Sequence, residues 1–274
     1  MTNLNKPLRE LVKNWIAGDK LADAIYAAKE LNEKGMQVMI NVLGEHFKKE
    51  SQVNSVVNEY LHLVRQISGK KLNASITVKE TEIGLDIGKN YFMKNLERIV
   101  RLAEKYGIFV WLDMERYHYH DATIDAFLML RENYHNIGIA LQANLKRSEM
   151  DLMQIISRGG RVRLVKGVYQ EGVRISLPPR LVRNNYKKLM LLLFKHSSSF
   201  AIATHDEELI RQAIRLNKKY RRDVEFQVLL GMDMPRVLKG QRVAVYLPYG
   251  KNWLPYVERR FAEIEATILP HLKF

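Results

Sequence analysis

The residues able to do chemistry gather where short apolar runs end. Lys79, Asp113, Gln142, Arg163, Lys166, Gln227 and Tyr246 close or follow β-branched segments, and so does the triplet Thr204-His205-Asp206. Glu45 and His46 follow another such run, and Glu225 lies inside one. This inventory is rich in cations and hydrogen-bond donors. It suits a large anionic cofactor: Arg163, Lys166, Gln142, Thr204 and His205 would hold phosphates and a polar ring by directed hydrogen bonds. Val165, Gly167 and Val168 complete that run, and Gly167 lets backbone approach a ligand closely. A buried strand with charged ends is the plainer account of the same segment. Arg163 and Lys166 stand three apart, so on a strand they point to opposite faces unless Lys166 lies beyond its end. Near the C-terminus Tyr256, Arg259 and Arg260 share one face of a helix. Two neighbouring guanidiniums suit capture of a carboxylate, although Glu258 or Glu263 would pair with them on a plain surface helix. No metal is expected, because no cluster has metal-ligand spacing; His205 and Asp206 would need Glu225 or Asp113 to complete one.

Something must bring these strand ends together. Eight candidate strands, 37–44, 74–80, 109–114, 137–143, 161–167, 200–206, 224–231 and 242–249, alternate with amphipathic helical patterns such as 91–106, 181–195 and 207–220. That alternation argues for βαβ units and a parallel sheet. Eight units close into a (βα)8 barrel, whose active sites lie at the C-terminal strand ends. An open doubly wound sheet is the alternative, and no GxGxxG follows the first strand. Residues 1–36 read as an N-terminal helical extension that caps the barrel bottom, with the barrel running over 37–274.

Composition narrows the classes. The chain has 274 residues, 47% hydrophobic and 27% charged, and no cysteine, which excludes disulfides and thiolate chemistry. No run reaches the roughly 18 apolar residues of a membrane span. The first residues lack a signal-peptide core, so a cytoplasmic address is expected. The formal charge is +14, from 44 Lys and Arg against 30 Asp and Glu. These cations are dispersed rather than set in a patch interleaved with aromatics, so a nucleic-acid-binding barrel is the rival reading and not the favoured one.

The segment RLVKGVY at 163–169 resembles the RLVKGAY motif of proline dehydrogenases. FAIATHD (200–206), VEFQVLLG (224–231) and YLPYGKNWLPYVERR (246–260) resemble later blocks of that family, in order; VLGE (42–45), ITVKETEIGLDI (76–87), VWLDME (110–115) and IALQA (139–143) resemble earlier ones. The resemblance implies a distorted (βα)8, TIM-like barrel that uses FAD to oxidise L-proline to 1-pyrroline-5-carboxylate. It implies Arg163 near the flavin N5, cofactor contacts from Gln142, Val165, Lys166, Gly167, Val168, Thr204, His205, Asp206, Glu225 and Gln227, and proline-carboxylate binding by Lys79, Arg259 and Arg260. Tyr169, Tyr246 and Tyr256 would pack on the substrate ring, with Asp113 supporting the basic cluster. The electron acceptor implied is a quinone, and with it peripheral contact with an anionic membrane at its inner face. Another cyclic imino acid, such as hydroxyproline, is the rival substrate.

Four features depart from the family pattern. Val168 replaces the usual Ala and is expected to tighten the pocket or shift the flavin. Met232 and Asp233 follow LLG where the family often has LYG, a short apolar residue and Arg. Arg183 stands where Asp is usual before Tyr186, near the expected adenosine half of the cofactor. The lysine motif reads KETEIG, more acidic than the family's.

Overall fold

The computed structural model describes residues 13–169 and 171–268, with side chains of helical residues up to 262. Eight parallel strands close into one barrel in sequence order: β1 (Gln37–Val42), β2 (Ala74–Val78), β3 (Val110–Leu112), β4 (Ile137–Gln142), β5 (Arg161–Val165), β6 (Ser199–Ala203), β7 (Asp223–Leu229) and β8 (Val243–Tyr249), with β8 pairing back onto β1. Each strand sits where the apolar runs predict it, and all but β4 and β8 stop two or more residues short of the expected C-terminal end. The polar residues there belong to the loops. Lys166 thus lies past β5 and is exposed, which resolves the conflict of faces with Arg163.

The connecting helices are α1 (Leu21–Glu33), α2 (Glu50–Gly69), α3 (Lys89–Lys105), α4 (Tyr117–Arg131), α5 (Ser148–Ser157), α6 (Pro179–His196), α7 (Glu207–Tyr220) and α8 (Leu254–Ile268). In α3 the buried stripe is Phe92, Leu96, Ile99, Val100 and Ala103, at helical spacing. The largest core lies between the barrel wall and this helical ring. A second, small cluster fills the lumen: Met39, Trp111, Ala201 and Ala244, with Phe109 and Tyr246 against it. Ala140 and Ala201 flank Arg163 in register across β4, β5 and β6, so small residues leave its long side chain room to cross the lumen.

The described part of the N-terminal segment, residues 13–36, does not cap the barrel bottom. Residues 8, 11 and 12 of the first expected helix lie outside the described residues. Ala17 donates its N–H to Pro248 O at 2.8 Å, and Gly18 O accepts from Gly250 N at 2.9 Å, so residues 17 and 18 run beside the C-terminal end of β8. Ile16 packs with Leu43, Trp253, Tyr256 and Val257 under the start of α8. Helix α1 then lies outside β8 and β1, burying Ala24, Ile25 and Ala28. The reason is topological: α8 turns over the barrel mouth, and α1 covers the apolar wall that an eighth outer helix would otherwise cover.

Candidate functional site

At the mouth, three elements meet at one carboxylate. Glu45, just after β1, receives Lys79 Nζ at 2.6 Å and the fork of Arg259, with Nη1 to Oε2 at 2.6 Å and Nη2 to Oε1. Lys79 follows β2 and is buried. Burial pushes the Glu45 carboxyl up, but Lys79 and Arg259 outweigh it and hold it below its usual value. Burial likewise disfavours the Lys79 cation, and the Glu45 charge outweighs that, leaving its ammonium above its ordinary value. Arg259 also lies over the Tyr169 ring, 5.8 Å from its centre.

Tyr256, Arg259 and Arg260 do share one face of α8, turned to the mouth. Tyr256 and Arg260 are buried, and Tyr256 lies nearly parallel to Tyr246, with ring centres 6.4 Å apart. The partner of Arg259 is Glu45 rather than the helix's own Glu258; the side chain of Glu263 lies outside the described residues.

Arg163 spans the lumen below. Its Nη1 donates to Asp113 Oδ1 at 2.5 Å, its Nη2 to Thr77 Oγ1 at 3.0 Å, and its guanidinium lies over Trp111, 4.8 Å from a ring centre. Tyr246 donates to the other Asp113 oxygen at 3.2 Å. Asp113 therefore ties the arginine of β5 to the tyrosine of β8. Arg163 Nε is buried without a hydrogen-bond partner.

Around this centre the expected cofactor residues divide. Gln142 is buried and donates both amide hydrogens, to Met114 O and Glu115 O at 2.9 and 2.8 Å, which fixes the loop after β3 and leaves its amide oxygen as the acceptor. Gln227 is buried with its Oε1 unpartnered. Val165 ends β5 half-buried. Gly167 has φ +96°, and a Cβ there would lie 2.2 Å from Asn144 Oδ1; Asn144 in turn holds Tyr169 O at 3.1 Å. Only glycine fits that turn.

The other polar residues expected at the cofactor are engaged within the protein. Glu225 belongs to the barrel floor: its carboxylate takes Arg242 Nη2 at 3.0 Å, lies 3.6 Å from Arg161, and accepts from Gln227 Nε2 at 2.6 Å. It sits low on β7 and orients Gln227 instead of reaching the mouth. The Asp206 carboxylate caps α7, accepting from Leu209 N, and is paired with Lys166 (2.9 Å) and Arg183 (2.6 Å). The Arg183 that departs from the family pattern is thus spent on Asp206 and Glu208. His205 turns both ring nitrogens to backbone, Nδ1 to Asp233 O at 3.3 Å and Nε2 to Leu229 N at 3.0 Å, pinning the turn after β7. Thr204 Oγ1 accepts from Asp206 N at 3.1 Å. Val168 is 46% exposed, so its extra methyls face outward and do not tighten the lumen. The His205–Asp206 metal option loses its completing groups, since Asp113 and Glu225 are engaged with arginines.

The sequence places Glu45 at a strand end without giving it a role, and it offers nothing for Thr77 and Trp111. For Glu45 a signal existed: it is an acid at a strand end in an inventory otherwise dominated by cations. Thr77 and Trp111 carry no signal before the register is known.

A family model described as proline dehydrogenase matches residues 24–177 and 180–267. "Proline dehydrogenase 2" of Bacillus subtilis is 32% identical over 278 residues, covering 95% of this chain and 92% of that protein. "Proline dehydrogenase" of Deinococcus radiodurans is 30% identical over 266 residues, covering 92% and 86%. A solved structure of proline utilization A (PutA) from Bdellovibrio bacteriovorus, inactivated by N-propargylglycine, is similar in fold, with a TM-score of 0.86 at 24% identity over 94% of this chain and 33% of that one.

Proposed function

The chain belongs to the proline dehydrogenase family, and from that premise we propose that it oxidises L-proline to 1-pyrroline-5-carboxylate with FAD as its resident cofactor. The observation that carries this reading is the cation pair Lys79–Arg259 converging on one carboxylate at the mouth of the barrel. An external carboxylate of the same charge and shape satisfies the same donors once Glu45 yields them.

The chain's residues suit the cofactor. Arg163 Nε and Gln227 Oε1 are buried polar atoms without partners in or beside the lumen, and such atoms are costly unless a ligand or water meets them. Together with the Gln142 amide oxygen they form a mixed donor and acceptor set that fits the edge of a flavin ring. When bound, FAD supplies the two-electron acceptor for the hydride that leaves the substrate.

The remaining work is orientation. Arg259, Arg260 and Lys79 anchor the substrate carboxylate and set the ring's distance from the lumen. Their combined positive field lowers the affinity of a neighbouring ammonium for its proton, which favours the neutral amine that the oxidation requires. Tyr246, Tyr256 and Tyr169 wall the ring and exclude water. Arg163, held from three sides by Asp113, Thr77 and Trp111, presents a fixed positive charge at the lumen, so no reorganisation is needed when negative charge accumulates there.

The test is product identity. Purified protein loaded with FAD, given L-proline and a dye acceptor, is expected to yield 1-pyrroline-5-carboxylate, trapped as its coloured o-aminobenzaldehyde adduct. Dye reduction by hydroxyproline with none by proline would overturn the assignment.

A quinone as the natural acceptor, taken from a membrane with an anionic surface, belongs to the same proposal. The +14 charge supports it, as do the exposed Val168, Val173 and Leu181 beside Arg174 and Arg180. Among the described residues no helix is long and apolar enough to cross a membrane. Co-sedimentation with anionic liposomes at low salt, lost at high salt, is the expected result; no binding at either removes the idea.

A further inference from the structure

Beneath the Lys79–Arg259 pair lie three glutamates that the reaction does not use. Glu80 and Glu82 come from the acidic KETEIG segment after β2, and Glu115 follows β3; all three are buried. Glu80 and Glu115 clasp each other's loops: Glu115 N donates to Glu80 Oε1, and Thr81 N to Glu115 Oε2, each at 3.0 Å. Glu82 Oε1 accepts from Lys79 N at 2.8 Å and meets Tyr60 Oη at 2.5 Å. The other oxygens of Glu80 and Glu82, both Oε2, are buried with no hydrogen-bond partner.

An ionised carboxylate does not leave an oxygen bare in the interior at low cost. The surroundings of Tyr60 point the same way. Its oxygen lies 2.7 Å from Thr77 O and 2.5 Å from Glu82 Oε1. Both contacts are short, and each needs a hydrogen, yet Tyr60 has only one. Asn41 Nδ2 and Val42 N, at 3.1 and 3.2 Å, approach that oxygen more loosely. A proton on Glu82 supplies the second hydrogen.

We infer that Glu82, and the Glu80–Glu115 pair as a unit, carry protons in the working protein, and that this neutrality keeps the site cationic enough to bind a substrate carboxylate. The charge count makes the point. The cations Lys79, Arg163, Arg259 and Arg260 face the carboxyls of Glu45, Asp113, Glu80, Glu82 and Glu115. With every carboxyl ionised the mouth is net negative and repels a carboxylate. With one proton on Glu82 and one shared by the pair it is net positive. Burial drives the Glu80, Glu82 and Glu115 carboxyls upward, and Lys79 only partly opposes this at Glu82 and Glu115. The other titratable groups facing the cluster are Tyr60 on α2, Tyr119 on α4, Tyr169 after β5, Tyr246 on β8, and the rim pair His46–Asp86. Each of the four tyrosines is displaced upward and stays neutral through the range in which the glutamates ionise. These glutamates are positioning residues that act through Lys79 and Arg259.

The inference that they matter for a carboxylate rests on the proline reading; the protonation itself does not. Infrared spectra of the FAD-loaded protein near neutral pH are expected to show protonated-carboxyl C=O bands that shift on deuterium exchange, with Glu82→Gln removing one. Tyr60→Phe, a second probe should Glu82→Gln fold poorly, is expected to move that same band. Absence of such bands, or a full set surviving Glu82→Gln, overturns the assignment, whatever substrate the protein turns over. For the functional half, inhibition by cyclopentanecarboxylate is read against pH, because this probe has no amine to titrate. Its inhibition constant is expected to rise about tenfold or more as the buried carboxyls ionise at alkaline pH. In a Glu80→Gln/Glu82→Gln double variant the rise should flatten. The same rise in both proteins would remove the functional half.

Discussion

Arg259 on α8 grips Glu45 after β1 with both arms of its guanidinium, and the same carboxylate takes the ammonium of Lys79. The protein thus supplies its own anion to the group of cations proposed to hold the substrate's. That places Glu45 in competition with the substrate. Glu45→Gln is therefore expected to lower the KM for proline about threefold to tenfold, the scale of one partly exposed ion pair with good geometry. Steady-state kinetics decide; a raised KM would mean that Glu45 holds the arginine in place instead of competing for its ligand.

The carboxylate assignment predicts the opposite for the cations. Arg259→Met or Arg260→Met should raise the KM for proline about thirtyfold or more, the cost of a lost charge-assisted hydrogen bond, while FAD stays bound. Kinetics with a parallel flavin spectrum check both halves. Parent-like proline kinetics in either variant remove that residue from the site.

Gly167 has a backbone reason to be glycine. Its φ of +96° and the 2.2 Å approach of Asn144 to a would-be Cβ leave alanine both strained and crowded. Gly167→Ala is expected to destabilise the protein by about 1–3 kcal/mol, lowering Tm by roughly 2–10 °C. An unchanged melting curve would show that the loop refits at no cost.

Asp206 carries a pH signature. Burial pushes its carboxyl up, but the hydrogen bonds from Arg183 and Lys166 outweigh this and hold it down to about 2, against 3.8 when unperturbed. A folded pKa below the unfolded one means stability that is fully present above about pH 4 and fades as pH falls toward 2. Asp206→Asn keeps a helix-capping side chain and removes the charge. Its stability deficit relative to the parent, measured by urea unfolding, should therefore be largest near neutral pH and shrink below pH 4. A deficit that does not change with pH would trace the loss to the cap and not the ion pairs.

Much of the barrel can be read from residues such as Ile139, Leu141 and Phe226, because buried parallel strands announce themselves as apolar runs. Where the strands stop is harder to read: Lys79, Lys166 and Gly231 continue the pattern on paper, but their backbones have already left the sheet. The helix face of Tyr256, Arg259 and Arg260 follows from spacing alone. Pairing does not. Glu45 stands 214 residues before Arg259, and nothing local joins them; α8 meets β1 only because α1 has taken the outer position beside β8. For the same reason Glu225 looked like a mouth residue. Its height in the barrel depends on the register that brings Arg161 and Arg242 to it.

The defining property proposed for this site is the passage of electrons from proline to a bound flavin. Purified protein, loaded with FAD and freed of excess, is titrated anaerobically with L-proline while its visible spectrum is followed. The expected result is a flavin spectrum that bleaches as proline is added, in the parent and far less readily in Arg259→Met. A protein that takes up no flavin, or one whose flavin stays oxidised at saturating proline, would contradict the account.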